Sequence, residues 1–481
     1  MTSAVNHSRR RVHVWLAPML WTVCFGLWGL SRQNSVWRDE AATWQVAERS
    51  TGDIVHMLQH VDVVHGLYYL FMHGLFECFG PSPTVLRLPS VLAMAVAAGC
   101  VGAIGNRLAG PTAGLGAGLA FGLLPAVQFY LQEGRPYALV AAGAGVSTLL
   151  LVLVLLGRGR GRLWVAYSGA VFACGLLNWF SLLILPAHMA TMLWARAARR
   201  TWTRWAVASA VATMCVSPLI LYSRSQSTQV SWIPPLTWHM LIGPAVLLTI
   251  GGVGALLDRP RRAGISVAAV GLPLLVVPQV SLIGASLFKP LFLDRYVLFS
   301  LLGLALLIGV ILSRVVGLAE QRSLRAAKWI LPAVVAVAMI ALLPQSLAKR
   351  SAASRVDDVL ASATQVKQLK EPGDAVLFIP AARRDTRLVS PNAFTDLRDI
   401  ALAESPEESG TLKGIEASPA RIRAAMLAQH RIVLVTDATQ VAKPTSTERD
   451  RVKTTVLKEY FAPVADAQVR GRRVTAYERI S

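Results

Sequence analysis

Long apolar runs alternate with short polar loops over the first 346 residues of the chain. Each run is near the ~20 residues that an α-helix needs to cross a bilayer. The runs lie at about 14–30, 88–106, 112–130, 137–156, 163–180, 181–195, 205–222, 239–257, 264–284, 293–313 and 329–346. No small-residue cleavage site follows the first run, which therefore counts as a span. The pattern predicts a polytopic α-helical membrane protein with about 11 transmembrane helices.

One further apolar segment, Leu67–Phe79, is ambiguous because it has only about 13 residues and contains His73 and Glu77. The positive-inside rule offers an independent test. If this segment does not span, 18 basic residues lie in the loops on one side of the membrane and 8 lie opposite. We therefore predict an interfacial or re-entrant helix within a first external loop, about residues 32–86. The N-terminus is then cytoplasmic, and residues 347–481 lie outside the cell membrane.

Residues 347–481 show a different pattern, in which helical and strand-like segments alternate. Helices are predicted near 355–370, 420–429 and 448–460, and strands in "PGDAVLFIP" and "RIVLVTD". Two short strands follow, ending in "RRVTAYERI", and "ESPEESGTLKG" is typical of a flexible loop. We expect a small extracytoplasmic α/β domain after a transmembrane catalytic domain at 1–346.

The composition agrees with this division. The chain is 54% hydrophobic and 16% charged, whereas soluble proteins carry about 25% charged residues. Residues 1–346 hold 10 of the 27 acids, and the tail holds 17. A net charge of +21 can indicate nucleic-acid binding, but most of it lies in short loops between apolar runs, so we predict no nucleic-acid partner. The five cysteines lack a CxxC motif and are predicted to be packing residues.

Acidic residues in the first external loop are the first candidates for chemistry. Asp39 and Glu40 follow the end of a span in "SVWRDEAATW". Asp62 and His65 lie in "HVDVVHGLYY", where their i, i+3 spacing places them on one helical face. These side chains are either solvated or packed loop residues, or catalytic carboxylates at the membrane surface with a partner histidine.

Later external loops add charges of both signs. Glu133 and Arg135 lie in "QFYLQEGRPYAL", and Lys289 and Arg295 lie in "FKPLFLDRYVLFS". They either neutralise each other and anchor the interface, or form a site, because charges at a membrane helix end are costly unless paired or used. Arginine binds phosphate in a bidentate manner, so such a site suits a lipid phosphate. The loop at 225–238 suits an interfacial lid or an aromatic belt.

Residues 15–345 resemble the membrane glycosyltransferases of the GT-C fold. The nearest types are the dolichyl-phosphate-mannose–protein mannosyltransferases and the bacterial aminoarabinose and lipopolysaccharide-core sugar transferases. The motifs that carry the resemblance are "RDEA", the "DxxH" of Asp62 and His65, "LRLPS", "QEGRPYAL" and "FLDRY". The family often has His-Pro after the second acidic motif, whereas Gly66 follows His65 here.

The resemblance implies an inverting transfer of a mannose- or arabinose-type sugar from a polyprenyl-phosphate donor. The acceptor hydroxyl belongs to a glycan, lipid or protein at the outer face of the bilayer. Asp39 is implied as general base, with Glu40 beside it in the catalytic pair. The implied substrate- and phosphate-binding residues are Arg135, Arg295, Lys289, Glu133, Asp62, His65, Tyr137 and Tyr296. We expect no required cofactor, although some members use a divalent cation, for which Asp39, Glu40 and Glu133 would be the oxygen ligands.

Two other functions compete with this interpretation. A transporter or flippase of a lipid-linked or anionic substrate would place ionisable residues near the bilayer midplane, often in repeated halves. The predicted spans contain few charges and show no evident repeat. A non-catalytic membrane scaffold that binds cell-wall material through its tail would not require Asp39 or Arg135.

Overall fold

The computed structural model describes residues 2–158, 161–226, 233–259, 265–322, 327–444 and 447–480. The chain forms two compact units. The membrane unit comprises Met1–Trp28 and Arg87–Ser346, and the loop–tail unit comprises Gly29–Leu86 and Leu347–Ser481. The first predicted external loop therefore folds with the tail. Most of the loop at 225–238, predicted as a lid or belt, lies outside the described residues, as do Arg160, Arg261, Arg262 and Arg325 among the basic residues counted for the topology.

The membrane unit is built of helices. They are α1 (Thr2–Leu27), α5 (Pro83–Ala109), α6 (Pro111–Leu123), α7 (Pro125–Tyr130), α8 (Tyr137–Leu153), α9 (Gly161–Leu177), α10 (Ile184–Trp194), α11 (Arg199–Ser225), α12 (Trp238–Leu257), α13 (Val267–Ser286), α14 (Leu301–Gln321) and α15 (Ala327–Arg350). Short turns of 3₁₀-helix at Trp179–Leu183 and Asp294–Ser300 precede α10 and α14. Each predicted apolar run overlaps at least one of these helices.

Seven helical segments of the described chain are long and apolar enough to cross a membrane. Four shorter apolar helices, with 10–17 residues each, are Val14–Leu27, Pro111–Leu123, Gly161–Leu177 and Trp179–Trp194. A polytopic helical membrane protein is thus confirmed, and the exact number of spans stays a prediction. The ambiguous segment forms α4 (Gly66–Phe79), whose 14 residues fall short of a span and which belongs to the loop–tail unit.

Close helix packing in the membrane unit depends on small residues. A Cβ atom on Gly303 of α14 would collide with the carbonyl oxygen of Gly271 in α13 and lie 2.8 Å from the backbone nitrogen of Leu275. Backbone atoms cannot swing aside as the end of a side chain can. Glycine at position 303 therefore permits the close approach of α13 and α14, as small residues do between membrane helices generally.

The loop–tail unit combines helices from both parts of the chain with a small sheet. The helices are α2 (Arg38–Ala47), α3 (Thr51–His60), α4, α16 (Val359–Leu369), α17 (Asp385–Val389), α18 (Pro419–Leu427) and α19 (Glu448–Tyr460). The strands are β1 (Ala375–Ile379), β2 (Arg398–Asp399), β3 (Leu402–Glu404), β4 (Ile415–Glu416), β5 (Arg431–Asp437), β6 (Phe461–Val469) and β7 (Arg472–Arg479). The α/β fold predicted for the tail is confirmed.

The main sheet has five strands in the order β2-β1-β5-β7-β6. Strands β2, β1 and β5 are parallel, whereas β7 is antiparallel to both of its neighbours, β5 and β6. Successive side chains of β1 point to opposite faces. Leu377 packs in one core with Ile422 of α18, and Phe378 packs in another with Val366 of α16. Both faces of the sheet are therefore covered by helices, which explains the continuous apolar run in "AVLFI".

Buried ion pairs join the two parts of the loop–tail unit. One oxygen of Asp357 accepts a hydrogen bond of 3.0 Å from the backbone N–H of Arg38. The other accepts bonds of 2.8 and 3.0 Å from Arg472 and lies 3.3 Å from Nε of Arg38. Arg472 also pairs with Asp385 at 2.7 Å. Because Arg38 is the first residue of α2, the tail fixes the start of that helix.

Two details of the tail differ from the sequence-based expectation. The helix predicted from residue 355 begins only at Val359, because the side chain of Asp358 caps it by accepting from the backbone N–H of Ala361. Segment 404–414, predicted as a flexible loop, connects β3 to β4 and makes defined contacts. Within it, Ser405 and Glu408 exchange side chain–backbone hydrogen bonds of 2.8 and 3.1 Å.

Candidate functional site

The acidic pair of the first loop lies in the first turn of α2. Glu40 is fully buried and forms an ion pair of 3.0 Å with Arg32, whose side chain is equally buried. Arg32 has a positive φ of 50°, and its carbonyl oxygen accepts a bond of 2.8 Å from the hydroxyl of Ser35. Removing one charge of a buried pair leaves the other uncompensated, which is strongly destabilising. Glu40 therefore fixes the turn that leads into α2.

Asp39 is the more accessible acid of the pair, with a half-buried side chain. It follows Arg38, whose backbone is held by Asp357, and precedes the buried Glu40. A carboxylate in the first turn of a helix is stabilised by the partial positive charge of the helix N-terminus. Its neighbours on both sides thus hold the backbone of Asp39, and the residue itself is only half-buried.

Asp62 and His65 lie together, but not on one helical face as the spacing predicted, because Asp62 precedes the 3₁₀ turn Val63–His65. Oδ1 of Asp62 and Nδ1 of His65 are 2.8 Å apart, and the hydroxyl of Tyr69 donates to the other carboxylate oxygen. Asp62 adopts a left-handed conformation, with φ of 61°, between α3 and α4. A carboxylate bonded to one ring nitrogen fixes the orientation of an imidazole and leaves the other nitrogen for a ligand. The group can therefore bind a hydroxyl.

A cluster of aromatic rings and charges forms in the membrane unit. The guanidinium of Arg295 lies 5.6 Å from the ring centre of Tyr137 and 5.8 Å from that of Tyr296. Tyr296 stacks on Phe180 at 4.9 Å. The structure thus brings together three of the predicted residues, Tyr137, Arg295 and Tyr296. Aromatic faces attract the cation through their ring quadrupoles, so the rings position a guanidinium that can bind an anion.

The second predicted external loop is held by its own hydrogen bonds. The hydroxyl of Ser90 donates a bond of 2.6 Å to the carbonyl oxygen of Glu133, which joins the motifs "LRLPS" and "QEGRPYAL". Gln132 donates to the carbonyl oxygens of Gly26 and Trp28 at 2.9 and 2.7 Å. Glu133 and Arg135 are both buried. The loop therefore presents fixed rather than freely solvated charges.

Lys289, which follows α13, is exposed. The described residues contain no group of three His, Cys, Asp or Glu side chains that could hold a metal ion. The carboxylate of Glu40 faces the guanidinium of Arg32 at 3.0 Å and is engaged in that ion pair.

Some residues around these sites could not be found from the sequence motifs. Arg32 pairs with Glu40 across eight positions, and Tyr69 completes the group of Asp62. Tyr130 donates a bond of 3.0 Å to Asp294 from 164 positions away. The aromatic pair after "DVVH" was a signal for Tyr69, but nothing in the local pattern indicates the other two partners.

The helical membrane unit and the α/β tail together have the GT-C fold, the fold of a class of membrane glycosyltransferases. In particular, the chain is similar to the apo crystal structure of ArnT from Cupriavidus metallidurans, with 13% sequence identity, a TM-score of 0.63 and coverage of 98% of both chains. It is also similar to the structure of that ArnT bound to undecaprenyl phosphate, with 14% identity, a TM-score of 0.55 and coverage of 99% of this chain and 98% of the other.

A third similar structure is that of the arabinofuranosyltransferase AftD from Mycobacteria, with 15% identity and a TM-score of 0.50. The match covers 97% of this chain but only 41% of AftD. No protein-family model and no curated protein sequence matches the chain. At these identities the similarity establishes the fold, and the chain is a multi-pass membrane protein of that fold.

Proposed function

We propose that the protein is an inverting glycosyltransferase that moves a sugar from a polyprenyl-phosphate donor to an acceptor hydroxyl on the outer face of the membrane. The observation that carries this proposal is the similarity, over almost the whole chain, to a structure bound to undecaprenyl phosphate. The mannose- or arabinose-type identity of the sugar belongs to the proposal, as does the acceptor, a glycan, lipid or protein.

Asp39 is the proposed general base. Its half-buried carboxylate takes the proton of the acceptor hydroxyl while the acceptor oxygen bonds to the anomeric carbon of the donor. The bond from the anomeric carbon to the phosphate oxygen breaks, and its electron pair leaves with the polyprenyl phosphate. Attack opposite the leaving group inverts the anomeric centre. Glu40 is a positioning residue, because its buried ion pair with Arg32 holds the first turn of α2.

The leaving phosphate needs stabilisation of charge rather than a proton. Arginine donors placed where charge develops supply such stabilisation. Arg295, held between Tyr137 and Tyr296, and the buried Arg135 are the proposed phosphate-binding residues, with the exposed Lys289 as a third cation. Asp62, His65 and Glu133 are proposed to bind hydroxyl groups of the substrates.

The test uses purified full-length protein in detergent, polyprenyl-phosphate sugars with radiolabelled mannose or arabinose, and a membrane extract as source of acceptors. Wild type should transfer label from one donor, and Asp39→Asn should reduce the rate by about 10²–10⁴-fold, the usual contribution of a general base. Glu77→Gln is the matched control, because it removes an exposed carboxylate of the same unit and should leave the rate unchanged.

Two results would contradict the proposal. Equal rates for wild type and Asp39→Asn would remove Asp39 as the base. Movement of intact lipid-linked sugar across vesicles, without transfer to any acceptor, would instead establish a flippase. Addition of EDTA tests the cation separately, and we expect the transfer rate to stay unchanged.

A further inference from the structure

A large cavity lies in the loop–tail unit, at the carboxyl ends of two parallel strands. Its volume is about 640 Å³, and its walls include Ile379 at the end of β1 and Asp437 at the end of β5. Ligands of open α/β sheets bind outside the carboxyl ends of the strands. The volume falls within the ~300–1,000 Å³ of typical small-molecule sites. Both the position and the volume of this cavity are therefore typical of a small-molecule binding site.

Cationic side chains dominate the wall of the cavity. They are Arg38, Arg383, Lys413, Lys443 and Arg449. Arg383 is buried and pairs with Asp437 at 2.6 Å, and Arg38 pairs with Asp357. Lys413 and Lys443, in contrast, are exposed and form no ion pair with any residue that the structure describes. Two charges at the wall are thus available to an anion.

The acids of the wall are already neutralised. Glu416 pairs with the fully buried Lys453 at 2.7 Å and with Arg384 at 3.0 Å. Asp450 lies 3.2 Å from the same lysine. Burial disfavours a charged guanidinium, but Asp399 and Glu416 outweigh this effect and raise the pKa of Arg384. The carboxylates of Glu416 and Asp450 therefore lie within a network of cations, and their remaining lone pairs can accept hydrogen bonds from hydroxyl groups.

The turn that carries Lys413 is fixed. Arg384 donates a bond of 2.6 Å to the carbonyl oxygen of Lys413, and the backbone N–H of Gly414 donates one of 3.0 Å to the hydroxyl of Thr411. Gly414 has a φ of 75°, and a Cβ there would lie 2.6 Å from the carbonyl oxygen of Glu404. Only glycine fits this close turn, so the backbone position of Lys413 is set before any ligand binds.

These groups together define the ligand. Inorganic phosphate alone would use the two lysines and leave the paired carboxylates and the apolar wall at Ile379 and Val441 without contacts. A sugar that carries one anionic group supplies an anion for the lysines, hydroxyls for the carboxylates and C–H faces for the apolar wall. We propose that this cavity binds an anionic saccharide, with its phosphate or carboxylate between Lys413 and Lys443. The proposal concerns binding and does not depend on catalysis by Asp39.

The test measures binding of radiolabelled glucose 6-phosphate to the full-length protein in uncharged detergent, by equilibrium dialysis at low salt. Glucuronate, inorganic phosphate and glucose compete in separate arms. We expect saturable binding that both anionic sugars displace better than glucose or phosphate, and that weakens with salt. The double variant Lys413→Gln/Lys443→Gln should weaken binding by about tenfold, because charge-assisted hydrogen bonds are lost.

The matched control is Lys367→Gln/Lys458→Gln, which makes the same change of charge on exposed lysines of the same unit away from the cavity. Equal weakening by the control pair would reduce the effect to net charge and overturn the site. The absence of saturable binding would also overturn the proposed site. So would competition by glucose that is as strong as competition by glucose 6-phosphate. If inorganic phosphate competes as well as unlabelled glucose 6-phosphate, the cavity binds the anion alone and the proposal of a saccharide ligand is wrong. The same binding measurement can be made on the Asp39→Asn variant, so its outcome does not depend on the outcome of the transfer assay.

Discussion

Asp357 shows how one buried carboxylate can serve two distant segments. Burial by itself would raise the pKa of its carboxyl group. The charges of Arg472 and Arg38 and their hydrogen bonds outweigh that effect, so the pKa of Asp357 is lowered overall. A lowered pKa means that ionised Asp357 stabilises the folded unit above its ordinary pKa of about 3.9. This stabilisation is lost as the pH falls through the pKa of the folded state.

Asp357→Asn should loosen the start of α2. The change leaves Arg472 with Asp385 alone and removes the charge that faces Arg38. Breaking one partner from a buried ion pair costs on the order of 3 kcal/mol. We expect faster hydrogen–deuterium exchange of backbone amides in Arg38–Ala47, measured by mass spectrometry at pH 7, and a lower transfer rate.

Asp396→Asn is the control for this change, because Asp396 is exposed in the same unit and asparagine also tolerates its positive φ of 67°. Its exchange pattern should match wild type. Acid adds a second check, since the stability difference between wild type and Asp357→Asn should shrink below about pH 4. Unchanged exchange in α2 of the Asp357 variant would show that the tail does not hold this helix.

At the scale of secondary-structure elements, α13 and α14 can pack closely because Gly303 has no side chain. Gly303→Ala places a methyl group against backbone atoms of α13, and one helix must shift. Overpacking of this kind costs about 1–3 kcal/mol. We therefore expect a lower temperature of thermal inactivation and aggregation for the detergent-solubilised variant.

Gly317→Ala is a matched control on the same helix, because a Cβ at Gly317 meets no atom within 4 Å. Alanine has the higher helix propensity, so this variant should be as stable as wild type or slightly more stable. Equal destabilisation by the two changes would mean that flexibility of α14, not its packing on α13, determines the effect.

The elements themselves were largely predictable, whereas their partners were not. The helix Glu448–Tyr460 and the strand Arg431–Asp437 follow from local periodicity, and the structure has them at the predicted positions. The pairing of Asp357 with Arg472 joins residues 115 positions apart, and no local pattern encodes it. The local sequence pattern does not distinguish one lysine from another. Only the fold distinguishes Lys413, at a cavity, from Lys453, which is fully buried among carboxylates.

On the scale of the whole molecule, the loop–tail unit constrains the topology. Residues 29–86 and 347–481 form one compact unit, so both lie on the same side of the membrane. An even number of crossings therefore separates them. The positive-inside rule then predicts that this side is external.

This topology can be tested with alkaline phosphatase fusions, which are active only outside the cytoplasm. A fusion to the C-terminus should be active, and one after Ala198, in a predicted inside loop, should be inactive. The C-terminal fusion also reports on the first loop, because both belong to the same unit. The reverse pattern of activity would place the tail and Asp39 in the cytoplasm and would contradict a reaction at the outer face.

The bond between Arg38 and Asp357 has a consequence for the order of events during biosynthesis. The two residues are 319 positions apart, and at about 5–20 residues per second the ribosome needs tens of seconds to travel between them. During that interval the first loop, which the topology predicts to lie outside, lacks the carboxylate that fixes the start of α2. A chain released early therefore never gains a fully held Asp39. Completion of synthesis is then the condition for fixing the proposed catalytic base, and we expect unfinished chains in the membrane to be inactive.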